Sequence, residues 1–274
     1  MSELPISVHI LTWNSASTLR RALESVKHCR QILLIDGGST DETAKIADEY
    51  DATIIAQPHP GKPIMDFAAA RNEGLRHATE PWIFSLDSDE YASPALMEEL
   101  GKIATECKES AAYLVLRKYV LPTGEAVGHA STYPNHRLYF FHRDAVTGWI
   151  KPVHERPALK PGAPIHLLRN ACLAPIGTIE EYKAKNLRYI RIEAMQSAGK
   201  GWGYWLVHRL LHTLRSRAVA LIRLLGIWLL PHRGKRLPLR YEMARFWYGW
   251  RLIVETAPGK SPITQPPVAK RNGD

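Results

Sequence analysis

The first half of the chain alternates short apolar runs with amphipathic stretches. The apolar runs lie at 6–13, 31–36, 52–57 and 81–87. They are rich in β-branched or other apolar residues, which is typical of buried strands in a parallel sheet. The amphipathic stretches lie at 15–29, 41–50, 64–78 and 93–107, and they are predicted to be helices. Strands that alternate with helices of this length predict βαβ units and a mainly parallel sheet.

The pattern changes in the second half of the chain. Two stretches, 111–121 and 136–143, look like strands that mix aromatic with basic residues, and no clear helix lies between them. We expect them to complete the sheet in antiparallel fashion and to contribute the second half of a ligand-binding site. Three further helices are predicted, at 178–199, 204–230 and 238–256.

These elements divide the chain into three predicted regions. Residues 1–177 are expected to form an α/β domain, and residues 178–257 a basic, amphipathic helical extension. The tail, 258–274, is rich in proline and glycine and is predicted to be disordered.

Composition narrows the class of protein. The chain has 274 residues, of which 45% are apolar and 23% charged, as in folded globular proteins. Its first residues lack a basic segment and a small-residue cleavage site, so a secretory signal is not expected. Cys29, Cys107 and Cys172 are far apart and form no CxxC pair, which favours reduced, buried thiols over a zinc or redox site.

Charge is distributed unevenly along the chain. The net charge is +9, made up of −3 over residues 1–179 and +12 over residues 180–274. A near-neutral body with a basic C-terminal third indicates an anionic partner for that third. The candidates are a membrane surface, a phosphorylated substrate and nucleic acid.

The C-terminal helices favour the membrane among these partners. One apolar face of 204–230 carries Leu206, Leu210, Leu214, Ala218, Leu221, Leu225 and Trp228. Its last uninterrupted apolar run, 224–230, is far shorter than the ~20 residues of a spanning helix, so we predict no transmembrane segment. Tryptophan and tyrosine are mixed with arginine in 240–255, and the basic stretch 232–236 precedes this segment, which suits an anionic membrane interface. The alternative is that the helices pack on the α/β domain and expose a basic face; no motif supports nucleic-acid binding.

Polar clusters follow the predicted strands, at 12–14, 36–41, near Gln57 and at 87–90. Ligands of parallel α/β sheets bind at the carboxyl ends of the strands. Asp87 and Asp89, separated by one serine, can meet Mg²⁺ or Mn²⁺ there, although a solvated acidic turn is the alternative.

Two other positions have side chains suited to a phosphorylated ligand. Asp36 ends a buried strand, where its carboxylate can accept hydrogen bonds from a base or ribose, and Gly37 and Gly38 permit close backbone approach. No GxGxxG motif is present, so a dinucleotide-binding fold has little support. Arg71 lies in a helix lined with alanines and suits phosphate recognition, although a lone arginine on a helix is more often a surface residue.

Taken together, these segments resemble a known family. The stretches TWN (12–14), ILLIDGGSTDET (32–43), AAARNEGL (68–75) and IFSLDSDEYASPAL (83–96), in this order, resemble the family 2 glycosyltransferases with the GT-A fold. A further stretch, 135–157, resembles the branch that includes lipopolysaccharide-core glucosyltransferases, with Tyr139 where that pattern usually has phenylalanine. The C-terminal third is similar to this branch only loosely.

The resemblance implies a fold and a set of roles. The fold would be a GT-A type mixed α/β sheet flanked by helices, followed by the helical extension. Thr12, Asn14 and Asp36 would hold the nucleotide's base and ribose, and Arg71 would approach the diphosphate. Asp87 would contact the ribose or the metal.

The resemblance also implies a metal ion and a general base. Asp89 would be the principal ligand of Mg²⁺ or Mn²⁺, and His154 a second metal or phosphate contact, unless it is a packing residue. The family inverts the anomeric centre in one displacement, which needs a base for the acceptor hydroxyl. Glu155 is the expected base, with a surface carboxylate as the alternative reading and Glu90 or Asp144 as fallback bases.

The expected protein is therefore a metal-dependent, inverting hexosyltransferase. Its donor would be a nucleotide diphosphate sugar, with UDP-glucose as the type. Its acceptor would be a lipid-linked glycan such as the lipopolysaccharide inner core, met by a peripheral protein on the cytoplasmic face of the inner membrane. A polyprenyl-phosphate sugar transferase and an inactive membrane-associated scaffold are the rival interpretations, and nucleic acid is not an expected partner.

Overall fold

The structure, a computed structural model, describes residues 3–58, 64–152 and 154–260, with the backbone alone at position 188. The predicted disorder of 258–274 falls on residues that lie, from 261 onward, outside this description. The chain divides into two compact units, one formed by Met1–Val120 and Pro134–Pro175, the other by Leu121–Tyr133 and Ile176–Asp274. The sequence had grouped 121–133 with the α/β region, whereas the structure groups it with the C-terminal helices.

The first unit is built on an eight-stranded sheet in the order β3-β2-β1-β4-β7-β6-β10-β5. Its strands are β1 (Leu4–Thr12), β2 (Cys29–Asp36), β3 (Thr53–Ala56), β4 (Trp82–Asp87), β5 (Tyr91–Ala92), β6 (Ala112–Val120), β7 (His136–His142) and β10 (Ile165–Pro175). The helices are α1 (Ala16–Val26), α2 (Thr43–Asp48), α3 (Phe67–His77) and α4 (Pro94–Glu106). A separate hairpin consists of β8 (Val146–Ile150) and β9 (Arg156–Leu159).

The sheet is mixed, as expected. The strands β1 to β4 pair in parallel, and β7 runs antiparallel to both β4 and β6. The strand β10 is parallel to β6, and the short β5 is antiparallel to β10. The expectation of a mixed α/β sheet flanked by helices, with a helical C-terminal extension, is thereby confirmed, while β5, β8, β9 and β10 were not predicted.

Helices cover the sheet on both faces because successive strand residues point to opposite sides. On one face, Ile6, Val8 and Ile10 of β1 belong to a core that also contains Leu19 of α1 and Leu96 of α4. On the other face, Leu11 and Ile35 pack with Ala70 of α3. The central strands are therefore apolar on both sides, which is the reason for their unbroken hydrophobic runs.

Strand register brings the polar clusters to one edge of the sheet. Thr12 pairs with Asp36, and Leu11 pairs with Asp87, so the carboxyl ends of β1, β2 and β4 lie side by side. The clusters at 12–14, 36–41 and 87–90 thus follow three neighbouring strands.

The second unit is helical. It contains α5 (Ile179–Ser197), α6 (Trp202–Tyr204), a π-helical segment (Trp205–Leu211), α7 (His212–Leu229) and α8 (Leu239–Glu255). From α6 to the end of α7 the helical backbone continues without interruption. The helix α8 contacts both α5 and α7. No helix among the described residues combines the length and the apolar character that a membrane crossing requires.

A buried polar network ties 121–133 to α8. Glu242, which is 1% exposed, accepts hydrogen bonds from the Ser131 backbone nitrogen (2.8 Å) and from Ser131 Oγ (2.5 Å). Arg245 Nη1 donates to Thr132 Oγ1 at 2.9 Å. Burying a carboxylate is costly unless hydrogen bonds satisfy it, so this network helps to hold the segment on the helices.

The sheet also contains a buried histidine. His9 of β1 is fully buried, and neither ring nitrogen has a hydrogen-bond partner among the described residues. A Cβ added at Gly74 of α3 would come within 2.9 Å of His9 Nδ1, so the helix approaches the ring closely. Burial, with smaller contributions from the charges of Arg71 and Arg143, lowers the pKa of His9 to about 3. The ring is therefore neutral in the folded protein.

This predicts an acid-sensitive stability that depends on His9. An unfolded histidine binds a proton below pH ~6.5, whereas the folded one does not until pH falls to about 3. Between these values the free energy of unfolding should fall by about 1.4 kcal/mol for each pH unit of acidification from this residue alone. In a His9→Phe variant that part of the slope should vanish, as measured by urea unfolding at several pH values. A stability difference between the two proteins that does not change with pH would contradict the prediction.

Candidate active site

The turn after β2 is organised by Asp36. Its carboxylate accepts four hydrogen bonds: from Thr12 Oγ1 (2.9 Å), the Gly38 nitrogen (2.9 Å), the Ser39 nitrogen (2.7 Å) and Ser39 Oγ (2.6 Å). A carboxylate offers about four acceptor positions. A ligand hydroxyl could therefore bond to Asp36 only by replacing a protein donor, and the hydroxyls of Thr12 and Ser39 are the ones able to turn away.

Asn14 joins the turn after β1 to the turn after β2. Its backbone nitrogen donates to Ser39 Oγ (2.7 Å), and its Oδ1 accepts from the Thr40 nitrogen (2.8 Å). It adopts a φ of 50°, a left-handed conformation that asparagine tolerates better than most residues. Thr12, Asn14 and Asp36, which the sequence analysis placed in one subsite, are thus brought together.

Arg71 is the centre of a second cluster. It lies on α3 and is 1% exposed. Its Nη2 donates to Asp87 Oδ1 at 2.7 Å, and its Nε donates to Glu155 Oε1 at 3.0 Å. The guanidinium carbon lies 5.0 Å from the ring centre of Trp149 and 5.8 Å from that of Tyr139. Three segments far apart in sequence therefore meet at one cation.

Electrostatics keep this guanidinium charged. Burial by itself lowers the pKa of Arg71, but the charges of Asp87 and Glu155 more than offset that effect and raise the pKa above its ordinary value. One nitrogen, Nη1, is buried without a hydrogen-bond partner among the described residues. A buried N–H group is rarely left unpaired, so Nη1 is a donor suited to an oxyanion.

Asn72, the residue after Arg71, holds the β8 hairpin against α3. Its Nδ2 donates to the Trp149 carbonyl (2.9 Å), and its Oδ1 accepts from the Trp149 nitrogen (2.7 Å). Gly148 has a φ of 143°, and a Cβ there would lie 3.0 Å from Asn72 Oδ1. The Phe67 nitrogen donates to the Pro152 carbonyl at 2.9 Å, which holds the chain shortly before Glu155.

The sequence placed Asn72 beside Arg71 on the predicted helix but gave a role neither to Asn72 nor to Trp149. The available signal was the Gly148-Trp149 pair, which stands inside the stretch that resembles the lipopolysaccharide-core branch. Its contact with α3 depends on tertiary packing, and no local pattern predicts such a contact.

Three acidic residues form the cluster that could hold a cation. The ligand atoms of Asp87, Asp89 and Glu90 all lie within 4.8 Å of one another. Glu90 is 1% exposed and is ion-paired with Arg117, while Cys172 Sγ donates to Glu90 Oε2 at 3.5 Å. Burial and the charges of Asp87 and Asp89 raise the pKa of Glu90 to about 7, although Arg117 acts in the opposite direction.

The donor set fits a hard divalent cation. Asp87 and Asp89 are only partly buried and offer oxygen ligands, and Mg²⁺ typically takes one or two carboxylates and completes its shell with phosphate and water. Glu90 is buried and ion-paired with Arg117, so we assign it to holding the acidic loop in place and not to binding the cation. Among the described residues, the hydroxyls of Ser15 and Ser88 lie 3.0 Å apart and connect the loop to the start of α1.

The remaining predicted residues lie as follows. Glu155 is half-buried and bonded to Arg71. His154 is exposed, has a φ of 56°, and is not a member of the acidic cluster. Asp144 is largely exposed in a 3₁₀ turn, Arg143–Ala145, and its carboxylate is 3.7 Å from His142 Nδ1. The roles given to these residues stay predictions.

Similar proteins were found among curated sequences. The chain is 29% identical to the lipopolysaccharide core biosynthesis glycosyltransferase LpsC of Rhizobium meliloti (strain 1021) over 116 residues, which is 42% of this chain and 43% of LpsC. It is also 29% identical to the SPbeta prophage-derived glycosyltransferase SunS of Bacillus subtilis (strain 168), over 57% of this chain and 36% of SunS. The match thus spans less than half the length of either relative.

Solved structures also share features with this chain. The mannosyltransferase PcManGT from Pyrobaculum calidifontis, in complex with GDP-Man and Mn²⁺, is 14% identical and gives a TM-score of 0.48 over 93% of this chain and 88% of that one. S. aureus TarS 1-349 in complex with UDP is 13% identical, with a TM-score of 0.46 over 93% and 89%. TM-scores of this size do not support conclusions about the substrate or mechanism of this chain.

The family assignment rests on the sequence profile of the family described as Glycosyl transferase family 2. This profile matches residues 7–156, more than half of the chain. The match includes both clusters described above, from Thr12 to Glu155. This chain belongs to glycosyl transferase family 2.

Proposed function

We propose that this protein is an inverting, metal-dependent glycosyltransferase. It takes a sugar from a nucleotide diphosphate donor, with a UDP-hexose as the first candidate, and transfers it to an acceptor hydroxyl. The observation that carries the proposal is the buried Arg71, which joins Asp87 to Glu155 and whose Nη1 has no hydrogen-bond partner among the described residues. A metal-binding loop, a phosphate-binding cation and a candidate base are thus held together in one cluster.

The donor's nucleotide is bound at the ends of β1 and β2 in this proposal. Thr12, Asn14 and Asp36 contact its base and ribose, with hydroxyl donors of the protein giving way to those of the ligand. Arg71 Nη1 then donates to the diphosphate. Asp87, on the other side of Arg71, is within reach of the ribose or of the cation.

The cation site consists of Asp89, as principal ligand, with Asp87. His154 is proposed as a further contact to the metal or to phosphate. When bound, Mg²⁺ or Mn²⁺ would offset the negative charge that develops on the leaving diphosphate. The buried Glu90–Arg117 pair restrains the residue that follows Asp89 and so limits the movement of this loop.

Glu155 is the proposed base for the acceptor hydroxyl. Its Oε1 is bonded to Arg71 Nε, which orients the carboxylate and leaves Oε2 to take the proton. Asn72 acts as a positioning residue, because it holds the Trp149 backbone and with it the hairpin whose connection carries Glu155.

The acceptor is proposed to be a lipid-linked glycan, with the lipopolysaccharide inner core as the leading candidate. The name of LpsC and the basic C-terminal third support this choice. The enzyme would then work on the cytoplasmic face of the inner membrane, attached peripherally to anionic lipid. A polyprenyl phosphate acceptor needs no strong base, and an inactive scaffold would bind no donor.

A donor panel tests the proposal as a whole. The purified full chain is incubated with UDP-, GDP- and other nucleotide sugars, with Mg²⁺, Mn²⁺ or a chelator, and released nucleotide diphosphate is measured. Metal-dependent release from one donor class is the expected result. Absence of both binding and release for every donor would overturn the proposal in favour of the scaffold.

Glu155→Gln should separate binding from chemistry. The amide keeps an oxygen for Arg71 but cannot take a proton, so turnover should fall by about 100-fold or more. Donor affinity, measured by calorimetry, should change little. Glu98→Gln, the same change at an exposed position of α4, is the matched control and should retain near-normal turnover. Near-normal turnover of Glu155→Gln would remove Glu155 from the role of base and would favour the phosphate acceptor.

Asp89→Asn should abolish the metal-dependent part of donor binding. The change keeps the size of the side chain but removes the charge that attracts the cation. Calorimetric titration of the nucleotide diphosphate with and without Mn²⁺ should show an enhancement in the wild type and none in the variant. Asp48→Asn, an exposed change on α2, serves as control. An equal Mn²⁺ enhancement in both variants would exclude Asp89 as the principal ligand.

Arg71→Lys should impair the site despite conserving charge. A lysine ammonium cannot reproduce the forked geometry that bridges two carboxylates while leaving a third donor for phosphate. Turnover should fall by about 100-fold, since a small displacement of Glu155 is enough for such a loss. Arg76→Lys, a largely exposed position on the same helix, should behave like the wild type. Circular dichroism melting would establish that both variants remain folded at the assay temperature.

A further inference from the structure

The helix from 202 to 229 exposes a continuous apolar stripe. The stripe, called here the α7 stripe, consists of Val207, Leu211, Leu214, Ala218, Leu221, Leu225 and Trp228. Its large side chains are each between 47% and 53% exposed. They recur at alternating intervals of four and three residues, which places them along one side of the helix. The face predicted from the sequence began with Leu206 and Leu210. Leu206 is exposed and Leu210 is half-buried, and the stripe has Val207 and Leu211 in their places.

The side of this helix that packs lies about a quarter turn from the stripe. Thr213 and Leu224 are its buried residues, and Gly249 of α8 lies close to Arg217 and to Thr213. Trp205 Nε1 donates to the Ile253 carbonyl at 3.0 Å. Contact with α8 is therefore satisfied without the α7 stripe. Within the described part of the chain, the stripe is left as an exposed row of apolar side chains, and contiguous exposed apolar surface marks interaction sites.

The segment that carries the stripe is strongly basic, although Arg209 is ion-paired with Glu193 and Lys235 with Glu125. Residues 199–238 contain eight lysines and arginines and no aspartate or glutamate. Arg215 and Arg223 are exposed on the helix, and the basic stretch 232–236 follows its end. Exposed tryptophans, Trp202 and Trp228, stand near the two ends of the helix. Tryptophan is the side chain most suited to the boundary between lipid headgroups and acyl chains.

The sign of the charge separates the two obvious occupants of the stripe. A second copy of this helix, in either orientation, would oppose arginines with arginines and offer no acidic partner. An anionic lipid surface complements the arginines and accepts the apolar stripe at the same time. The structure thus favours lipid over self-association.

We propose that helix 202–229 lies in the plane of an anionic bilayer, with the α7 stripe buried at the boundary of the acyl chains. Arg215, which is four residues after Leu211 and borders the stripe, and the exposed Arg233 contact the lipid phosphates. Attachment is therefore by insertion of side chains and not by charge alone. The inference rests on the proposed function in one respect, since it names the surface by which the enzyme would reach a lipid-linked acceptor.

Vesicle binding of the full chain tests the insertion. Sedimentation is measured with phosphatidylcholine vesicles with and without phosphatidylglycerol, at low and high salt. A variant with Leu214→Gln, Leu221→Gln and Leu225→Gln removes the centre of the stripe. Its control carries Ile54→Gln, Ile165→Gln and Leu167→Gln, three comparably exposed apolar residues of the first unit. We expect the stripe variant to lose binding to anionic vesicles by about tenfold or more, since each replacement removes apolar burial. The control should bind like the wild type.

A second readout distinguishes insertion from surface attraction. Brominated acyl chains should quench tryptophan fluorescence of the wild type, and Trp228→Phe should reduce the quenching. Loss of all binding at high salt, without quenching, would show charge attraction alone and overturn the insertion. Dimerisation that the stripe variant abolishes, with no vesicle binding, would assign the stripe to a second copy and also overturn it.

Donor turnover measured without vesicles distinguishes a failure of the proposed function from a failure of the membrane inference. Release of nucleotide diphosphate and donor affinity, measured without vesicles, should be equal in the wild type and the stripe variant. Vesicle insertion in a protein that turns over no donor would leave the inference standing and remove the glycosyltransferase proposal. Donor turnover without insertion would do the reverse.

Discussion

The candidate site depends on one buried cation. Without its carboxylate partners, the buried Arg71 would strongly destabilise the fold, because an unpaired guanidinium in an apolar environment is disfavoured. Asp87 and Glu155 supply the compensating charge, and the rings of Trp149 and Tyr139 lie nearby. The same three ionic groups thus explain why α3, the end of β4 and the segment after β8 must meet.

Around this cation, the surrounding residues limit movement. Asp36 uses its carboxylate to shape the turn after β2, and Asn72 fixes the β8 hairpin through both atoms of its amide. Glu90 is paired with Arg117 behind the acidic loop. Apart from the hydroxyls of Thr12 and Ser39, which must turn away from Asp36 to admit a ligand, these groups are held in place, and preorganised groups cost no reorganisation at the moment of reaction.

The helical unit follows a different physical rule. Its internal side is held by specific polar contacts, such as those of Glu242 with Ser131, while its exposed side combines apolar residues with positive charge. Exposing apolar side chains to water is unfavourable. A boundary between lipid headgroups and acyl chains would stabilise both the apolar residues and the positive charges of this surface.

Much of the architecture follows from the sequence alone. Apolar runs and helical spacing predicted β1 to β4, α1 to α4 and the C-terminal helices. These elements were predictable because the spacing of apolar residues along a strand or helix follows which of its faces is buried. The Asp87/Asp89 pair and Arg71 were also visible as residue types at strand and helix positions. Only the tertiary structure decided which polar groups meet. Glu155 pairs with Arg71, and Glu90 pairs with Arg117. Asn72 accepts a hydrogen bond from the Trp149 nitrogen, and each of these contacts joins residues far apart in the chain. The exposure of the α7 stripe was likewise decided by packing, since hydrophobic periodicity marks an apolar face but does not say what covers it.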